Sequence, residues 1–234
     1  MSRGEQDWDA VLSAAARLQG LIPEAVLVGG TASAVYAAHR VSNDADHMLP
    51  NLREEFDTIL AKLESVAGWK LARVKKPVLI LGSLDGVETG IRQLIRDEPL
   101  ETKEIFVKGQ KIVVPTEEEI LRIKGALILK RNAKRDFVDF AALAQFLGEE
   151  VTARAFGRFD ALYPQENGQS PVQQLCLQLA DPLPFDLQEN KMAEYKNLAE
   201  KWKNWESVKA QCILSSGVIF TSIAPEEDDD APGY

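Results

Sequence analysis

The chain has 234 residues, 45% of them hydrophobic and 27% charged, with a formal net charge of −9. That balance describes an ordinary globular protein able to bury a substantial core in one or two domains, and it excludes a disordered or fibrous chain. No apolar run approaches the roughly 18 residues that a membrane span needs, and Met1-Ser2-Arg3-Gly4-Glu5-Gln6-Asp7 lacks the apolar stretch of a secretory leader.

Cys176 and Cys212 are too few for a disulfide scaffold and lack metal-ligand spacing, so both are expected as reduced, buried thiols in a cytoplasmic protein with no membrane partner. Glu226, Glu227, Asp228, Asp229 and Asp230 carry five of the negative charges, and the remainder is only −4. The overall charge therefore does not decide against a nucleic-acid partner, and Lys130, Arg131, Lys134 and Arg135 supply a local basic patch.

In chain order, helical spacing of Trp8, Val11, Leu12, Ala15 and Leu18 predicts a helix over 7–21, which Pro23 ends. Val26–Val28 reads as a short buried strand and the alanine-rich 31–39 as a helix. A second strand follows at 44–48. Leu52–Val66 is an amphipathic helix through Phe56, Ile59, Leu60 and Leu63, ended by Gly68. Strands at 78–81 and 87–95 flank Asp85-Gly86, a hairpin signal. Two short strands at 104–107 and 111–114 surround Gly109. Thr116 then caps a helix with Glu119 three residues on, as in a capping box, and a further helix runs over 134–147.

This order predicts an α/β (α+β) domain with a mixed sheet over residues 1–150. A mainly helical region is expected over 151–225, with helices at 172–179 and 191–211 and a strand or docked segment at 213–223. A disordered acidic tail closes the chain at 226–234.

The most informative stretch is Val26-Leu27-Val28-Gly29-Gly30-Thr31-Ala32, followed by His39-Arg40-Val41-Ser42-Asn43-Asp44-Ala45-Asp46. Alternate residues of a strand share a face, so Asp44 and Asp46 present adjacent carboxylates that repel each other unless a cation sits between them. Hard oxygen donors of this kind suit Mg2+. Gly29 and Gly30 let a phosphate chain approach the backbone, and the helix starting near Thr31 aims free N–H groups at it. Asn-Asp-Ala-Asp is also loop composition, and Thr31 can serve simply as an N-cap. Arg40 is a surface arginine or a phosphate contact, and His39 reads as structural. Lys124 lies among apolar residues, where an ammonium is costly unless paired or snorkelling. Arg131 falls on nearly the same helix face. Asp136 and Asp139 open the next helix, where acids also suit the helix dipole.

Gly-Gly-Thr-Ala, His-Arg and Asp-x-Asp resemble the first motif of the AbiEii-like (type IV toxin–antitoxin) nucleotidyltransferases, of the polymerase-beta-like superfamily. Val114-Pro115-Thr116-Glu117-Glu118-Glu119-Ile120-Leu121-Arg122-Ile123-Lys124, with Lys134-Arg135-Asp136-Phe137-Val138-Asp139-Phe140, resembles a second block of that family. Together the motifs cover about residues 20–147. The resemblance implies a polymerase-beta-like fold and Mg2+-dependent transfer of a nucleoside monophosphate from a nucleoside triphosphate. The implied acceptor is the 3′ end of transfer RNA or a protein hydroxyl, and the implied biological role is a toxin with an antitoxin partner. Asp44, Asp46, Lys124 and Asp139 become the expected catalytic residues, with Asp44 and Asp46 as metal ligands. Gly29, Gly30, Thr31, Arg40 and Lys124 become the expected nucleotide-binding residues. Many members of the superfamily carry a third carboxylate on a neighbouring strand; the one acid in the matching segment is Glu88, whose face the sequence leaves open. The alternative is a catalytically silent module of the same fold.

Overall fold

A computed structural model of the chain describes residues 3–188, 192, 195 and 197–224. The predicted acidic tail lies outside the described residues. The first half alternates helices and strands: α1 (Arg3–Leu21), β1 (Val26–Leu27), α2 (Gly29–Ala37), β2 (Asp44–Leu49), α3 (Leu52–Glu64), β3 (Trp69–Lys75), β4 (Leu79–Leu84) and β5 (Val87–Gln93). Then come the hairpin β6 (Thr102–Val107) and β7 (Gln110–Pro115), and the helices α4 (Glu117–Arg131), α5 (Lys134–Phe156), α6 (Phe159–Leu162), α7 (Pro171–Ala180) and α8 (Trp205–Ile223).

Five strands form one sheet in the order β1-β2-β5-β4-β3, with β2 and β5 parallel and the other neighbours antiparallel. This is the expected mixed sheet. Period-2 burial fixes its register: β2 buries Ala45, His47 and Leu49 and leaves Asp44, Asp46 and Met48 half-exposed on the other face. His47 is sealed inside, its Nδ1 2.9 Å from the Ala45 carbonyl oxygen, and burial pulls its pKa down to about 4. The ring is therefore neutral at pH 7. Between β4 and β5, Asp85 and Gly86 both take positive φ (53° and 84°), as a type I′ hairpin requires.

Thr116 caps α4, its hydroxyl accepting from the Glu119 N–H at 3.3 Å. The carboxylate of Glu119 is not the expected reciprocal cap. It is fully buried and grips Arg96 through two bonds of 2.8 and 3.0 Å and Arg122 at 3.1 Å. One apolar core runs from α1 and β1 through α4 and α5 to α7 and α8, with Phe137, Phe140, Phe156 and Phe159 at its centre.

Three further expectations are corrected. β3 is a strand where none was expected; it is the sheet edge, mostly exposed and studded with Lys70, Arg73 and Lys75, so it lacks the alternation that marks a half-buried strand. The helix expected over 191–211 does not run through, because residues 197–199 are non-helical and only a 3-10 turn, Glu200–Lys203, precedes Asn204. Asn204 caps α8 instead, accepting from the Glu206 N–H at 3.0 Å. Residues 213–223, expected as a strand or docked segment, are the second half of α8. Val208, Cys212 and Ile219 make a helical stripe buried against α5 and α7.

Candidate active site

The turn between β1 and α2 brings the glycines over the acids. Gly29 has φ +73°, open to glycine at little cost, and a Cβ there would sit in ordinary contact with Asp46. Gly30 has a different reason. A Cβ at this position would lie 2.1 Å from Nη2 of Arg40 and 2.9 Å from the Ser42 hydroxyl, so the space above Gly30 is filled by the Arg40 guanidinium. Thr31 is fully buried, and its hydroxyl donates to the Asp44 carbonyl oxygen, fastening the start of α2 to β2.

Asp44 and Asp46 share the half-exposed face of β2, as the alternation predicts. The Ser42 hydroxyl donates to Oδ1 of Asp44. Burial first and the Asp44 charge second push the Asp46 pKa upward, against Arg92, Arg135 and Arg131. These three arginines form a cationic rim beside the acids, with Arg92 Nε 3.9 Å from Asp46 Oδ1. Sequence reading missed Arg92 and Ser42. The available signal for Arg92 was its parity, since it stands four residues after Glu88 on the same strand.

The parallel pairing of β2 with β5 sets Asp44 opposite Glu88, Asp46 opposite Gly90 and Met48 opposite Arg92. Glu88 therefore stands on the face that carries Asp44 and Asp46, and it is exposed. Opposite Asp46 there is only a glycine, where a Cβ would come within 3.0 Å of its carboxylate. Among the described residues, no three His, Cys, Asp or Glu side chains stand close enough together to hold a metal ion by themselves. Two hard carboxylates in mutual repulsion still fit Mg2+, which commonly uses one or two protein carboxylates and completes its shell with water and substrate phosphates.

A second cluster lies behind the first. Asp139 on α5 is fully buried and accepts from Lys124 Nζ at 2.8 Å, Arg40 Nε at 2.7 Å and Arg40 Nη2 at 3.0 Å; His39 Nε2 lies 2.7 Å away. Burial alone would raise the Asp139 pKa, but the charges of Lys124 and Arg40 and these hydrogen bonds hold it well below the usual carboxylate range. Asp136, also buried, takes a bidentate grip from Arg131 at 2.7 and 3.1 Å and stands 3.9 Å from Lys124. His39, Arg40, Lys124 and Asp139, separated by about a hundred residues of sequence, thus form one buried ion cluster. Lys124 is paired rather than snorkelling, and only 2% of it is exposed.

No family model matches the chain. Over 121 residues, half of this chain, it is 35% identical to the heme uptake protein MmpL11 of Mycobacterium tuberculosis. It is 32% identical over 124 residues to the mycolic acid-containing lipids exporter MmpL11 of Mycolicibacterium smegmatis. The chain spans only 12% of the length of each of these relatives. No described helix is long and apolar enough to cross a membrane. Two solved structures from Helicobacter pylori match almost end to end. A candidate nucleotidyltransferase aligns with a TM-score of 0.55 and 15% identity, over 94% of this chain and 96% of that one. JHP933 aligns with a TM-score of 0.53 and 14% identity, over 94% of both chains. The chain has a nucleotidyltransferase fold. The two-glycine turn and the paired acids of β2 lie within that fold.

Proposed function

We propose that the protein is a Mg2+-dependent nucleotidyltransferase that moves a nucleoside monophosphate from a nucleoside triphosphate to an RNA or protein hydroxyl and releases pyrophosphate. One observation carries this reading: Asp44 and Asp46 stand side by side on an open sheet face, next to a glycine turn and a rim of arginines, within a nucleotidyltransferase fold. In this reading Asp44 and Asp46 hold Mg2+, which when bound supplies charge neutralisation on the triphosphate. Gly29 and the start of α2 receive the phosphates against backbone N–H groups.

Arg92 and Arg135, both beside Asp46, draw in the triphosphate. Lys124 follows the resemblance to its β/γ phosphates, leaving its bond with Asp139 as it does so. Arg40, bonded to Asp139 and passing over Gly30, ties the glycine turn to α5 and keeps both clusters in register. In this reading Glu88, which shares the face of the acids, takes the proton of the attacking hydroxyl. The AbiEii-like motifs support a toxin role with a cognate antitoxin and a transfer-RNA acceptor. Gly90, bare opposite Asp46, favours the alternative of a silent module.

The test incubates protein and Asp46→Asn with Mg2+, each α-labelled nucleoside triphosphate, transfer RNA and cell extract. Label transferred by the parent and absent from the variant is the expected result. Equal transfer by both sinks the metal assignment, and no nucleotide-dependent thermal shift with any triphosphate favours the silent module.

A further inference from the structure

The sheet face that carries the acids continues across β5 and β4 to the far edge. Strand register lines up Asp44 with Glu88, Ser83 and Lys70; Asp46 with Gly90, Leu81 and Arg73; and Met48 with Arg92, Leu79 and Lys75. Gly90 fixes the facing, since a Cβ there would lie 2.6 Å from Leu81 Cδ2 and 3.0 Å from Asp46 Oδ1. Lys70, Arg73 and Lys75 on β3 therefore share the face of Asp44 and Asp46, three strand spacings or roughly 14 Å away.

Simple alternation along β3 would split these bases, with Lys70 on one face and Arg73 and Lys75 on the other. A register shift between Leu71 and Arg73 leaves Ala72 unpaired and brings all three to one side, while Leu71 and Val74 take the opposite side with Trp69. Lys70, Arg73 and Lys75 are exposed, and among the described residues their side chains have no partner. The next base, Lys76, is instead held at 2.8 Å by Asp57 of α3, the helix packed on the other face. Charges on either face would protect an edge strand from pairing with another edge. Edge protection thus leaves unexplained why a bulge gathers these three on the acids' side.

We infer that the acceptor is RNA, and that Lys70, Arg73 and Lys75 grip its phosphate backbone at the edge of this face. A polynucleotide carries a charge at every link and meets three separated cations whatever its sequence, whereas a peptide must place an acid opposite each. From β3 the strand crosses Leu79, Leu81 and Ser83 of β4, which are half-exposed, to bring its terminal hydroxyl to the acids. That crossing takes about four nucleotides at ~3.4 Å each. The hydroxyl oxygen forms a bond to the α-phosphorus of the nucleoside triphosphate, the α–β phosphoanhydride bond breaks, pyrophosphate leaves, and the hydroxyl proton passes to Glu88. This inference rests on the transferase reading above and selects between its two acceptors.

The experiment compares the parent chain with the triple variant Lys70→Gln, Arg73→Gln, Lys75→Gln. A charge-matched control, Arg53→Gln, Lys62→Gln, Lys76→Gln, removes three bases from the α3 side. All six residues are exposed, so both variants keep the fold. Binding of a fluorescent single-stranded oligoribonucleotide is followed by anisotropy across a salt series. Transfer from each α-labelled nucleoside triphosphate with Mg2+ is assayed on that RNA and on nuclease-treated extract protein, and thermal shift by Mg2+-nucleotide is read in parallel. The expected result is RNA binding and RNA label by the parent and the control. In the β3 variant, binding is weaker by at least about tenfold and its log–log salt slope shallower by about two, since each phosphate contact on a single strand contributes roughly 0.7. RNA label falls with it, and the nucleotide shift is the same in all three chains. Unchanged RNA binding in the β3 variant, or an equal loss in the control, overturns the inference. So does label confined to protein, and in each case the nucleotide shift leaves the transferase reading standing. No shift and no label from the parent removes the transferase reading, and the acceptor assignment with it.

Discussion

Replacing Asp139 by Asn keeps the shape of the side chain and removes the one negative charge that three groups share. Lys124, 2% exposed, loses its 2.8 Å partner and retains only Asp136 at 3.9 Å. Arg40 loses a bidentate acceptor and His39 its carboxylate. Breaking a buried pair by removing one partner costs about 3–5 kcal/mol, because the other charge stays buried. The remaining Asp136 places this case near the lower end, about 3 kcal/mol. For a chain of this size that lowers Tm by roughly 6–12 °C. The assay is thermal unfolding followed by circular dichroism at pH 7.5.

The pH dependence has a definite sign. The folded-state pKa of Asp139 is depressed, so its stabilisation is fully present above the unfolded carboxylate value of about 4 and is lost as pH falls through the lower folded value. The gap between parent and Asn variant therefore stays constant from pH 8 to pH 5 and closes only below that. Adding Lys124→Met to the variant recovers part of the loss, since the stranded ammonium is gone. A Tm within 2 °C of the parent, or no recovery in the double variant, refutes the ion-cluster account.

Three further outcomes are expected. Asp46→Asn leaves the metal-free protein at least as stable as the parent at pH 7.5, because the raised Asp46 pKa means that its ionisation opposes folding; a Tm loss above about 4 °C contradicts this. Gly30→Ala expels the Arg40 guanidinium and costs about 2 kcal/mol, and Arg40→Ala adds little on top of it; urea unfolding of the single and double variants reads this, and additive losses refute it. His47, buried and neutral with a pKa of about 4, makes stability fall by about 3 kcal/mol as pH drops from about 6.5 to 4, and His47→Leu flattens that slope in urea titrations across the range.

The sequence was legible where one local rule acts alone. Alternation placed Asp44 and Asp46 on one face, Asp85-Gly86 announced its hairpin, and Thr116 announced the start of α4. Edge strand β3 escaped because an exposed edge needs no apolar alternation. The end of α8 was misread because Ile213–Ile223 has strand composition and its helical form is set by packing between α5 and α7. At Gly30, Gly-Gly suggested room for phosphate, whereas the second glycine makes room for Arg40. Nothing local in His39-Arg40 points to a carboxylate a hundred residues away, so the convergence on Asp139 appears only in three dimensions. The register of Glu88 was equally out of reach, since β5 is joined to β2 through α3 and a hairpin.

The two carboxylate systems differ in what their surroundings ask of them. Asp139 and Asp136 are sealed in and matched by Lys124, Arg40 and Arg131, so their charge is already spent on holding α4 and α5 to the glycine turn. Asp44 and Asp46 are half-exposed, and burial together with mutual repulsion leaves Asp46 reluctant to ionise despite three arginines nearby. A fold under no demand but stability gains nothing from that second arrangement. In the proposed reading a bound cation would relieve it, and a triphosphate would meet the arginines beside it. Environments that push neighbouring acids in opposite directions commonly separate structural from working groups. Here they separate Asp139 from Asp46, which accords with the proposal that the open pair holds the metal and that the buried cluster, Lys124 apart, positions the site.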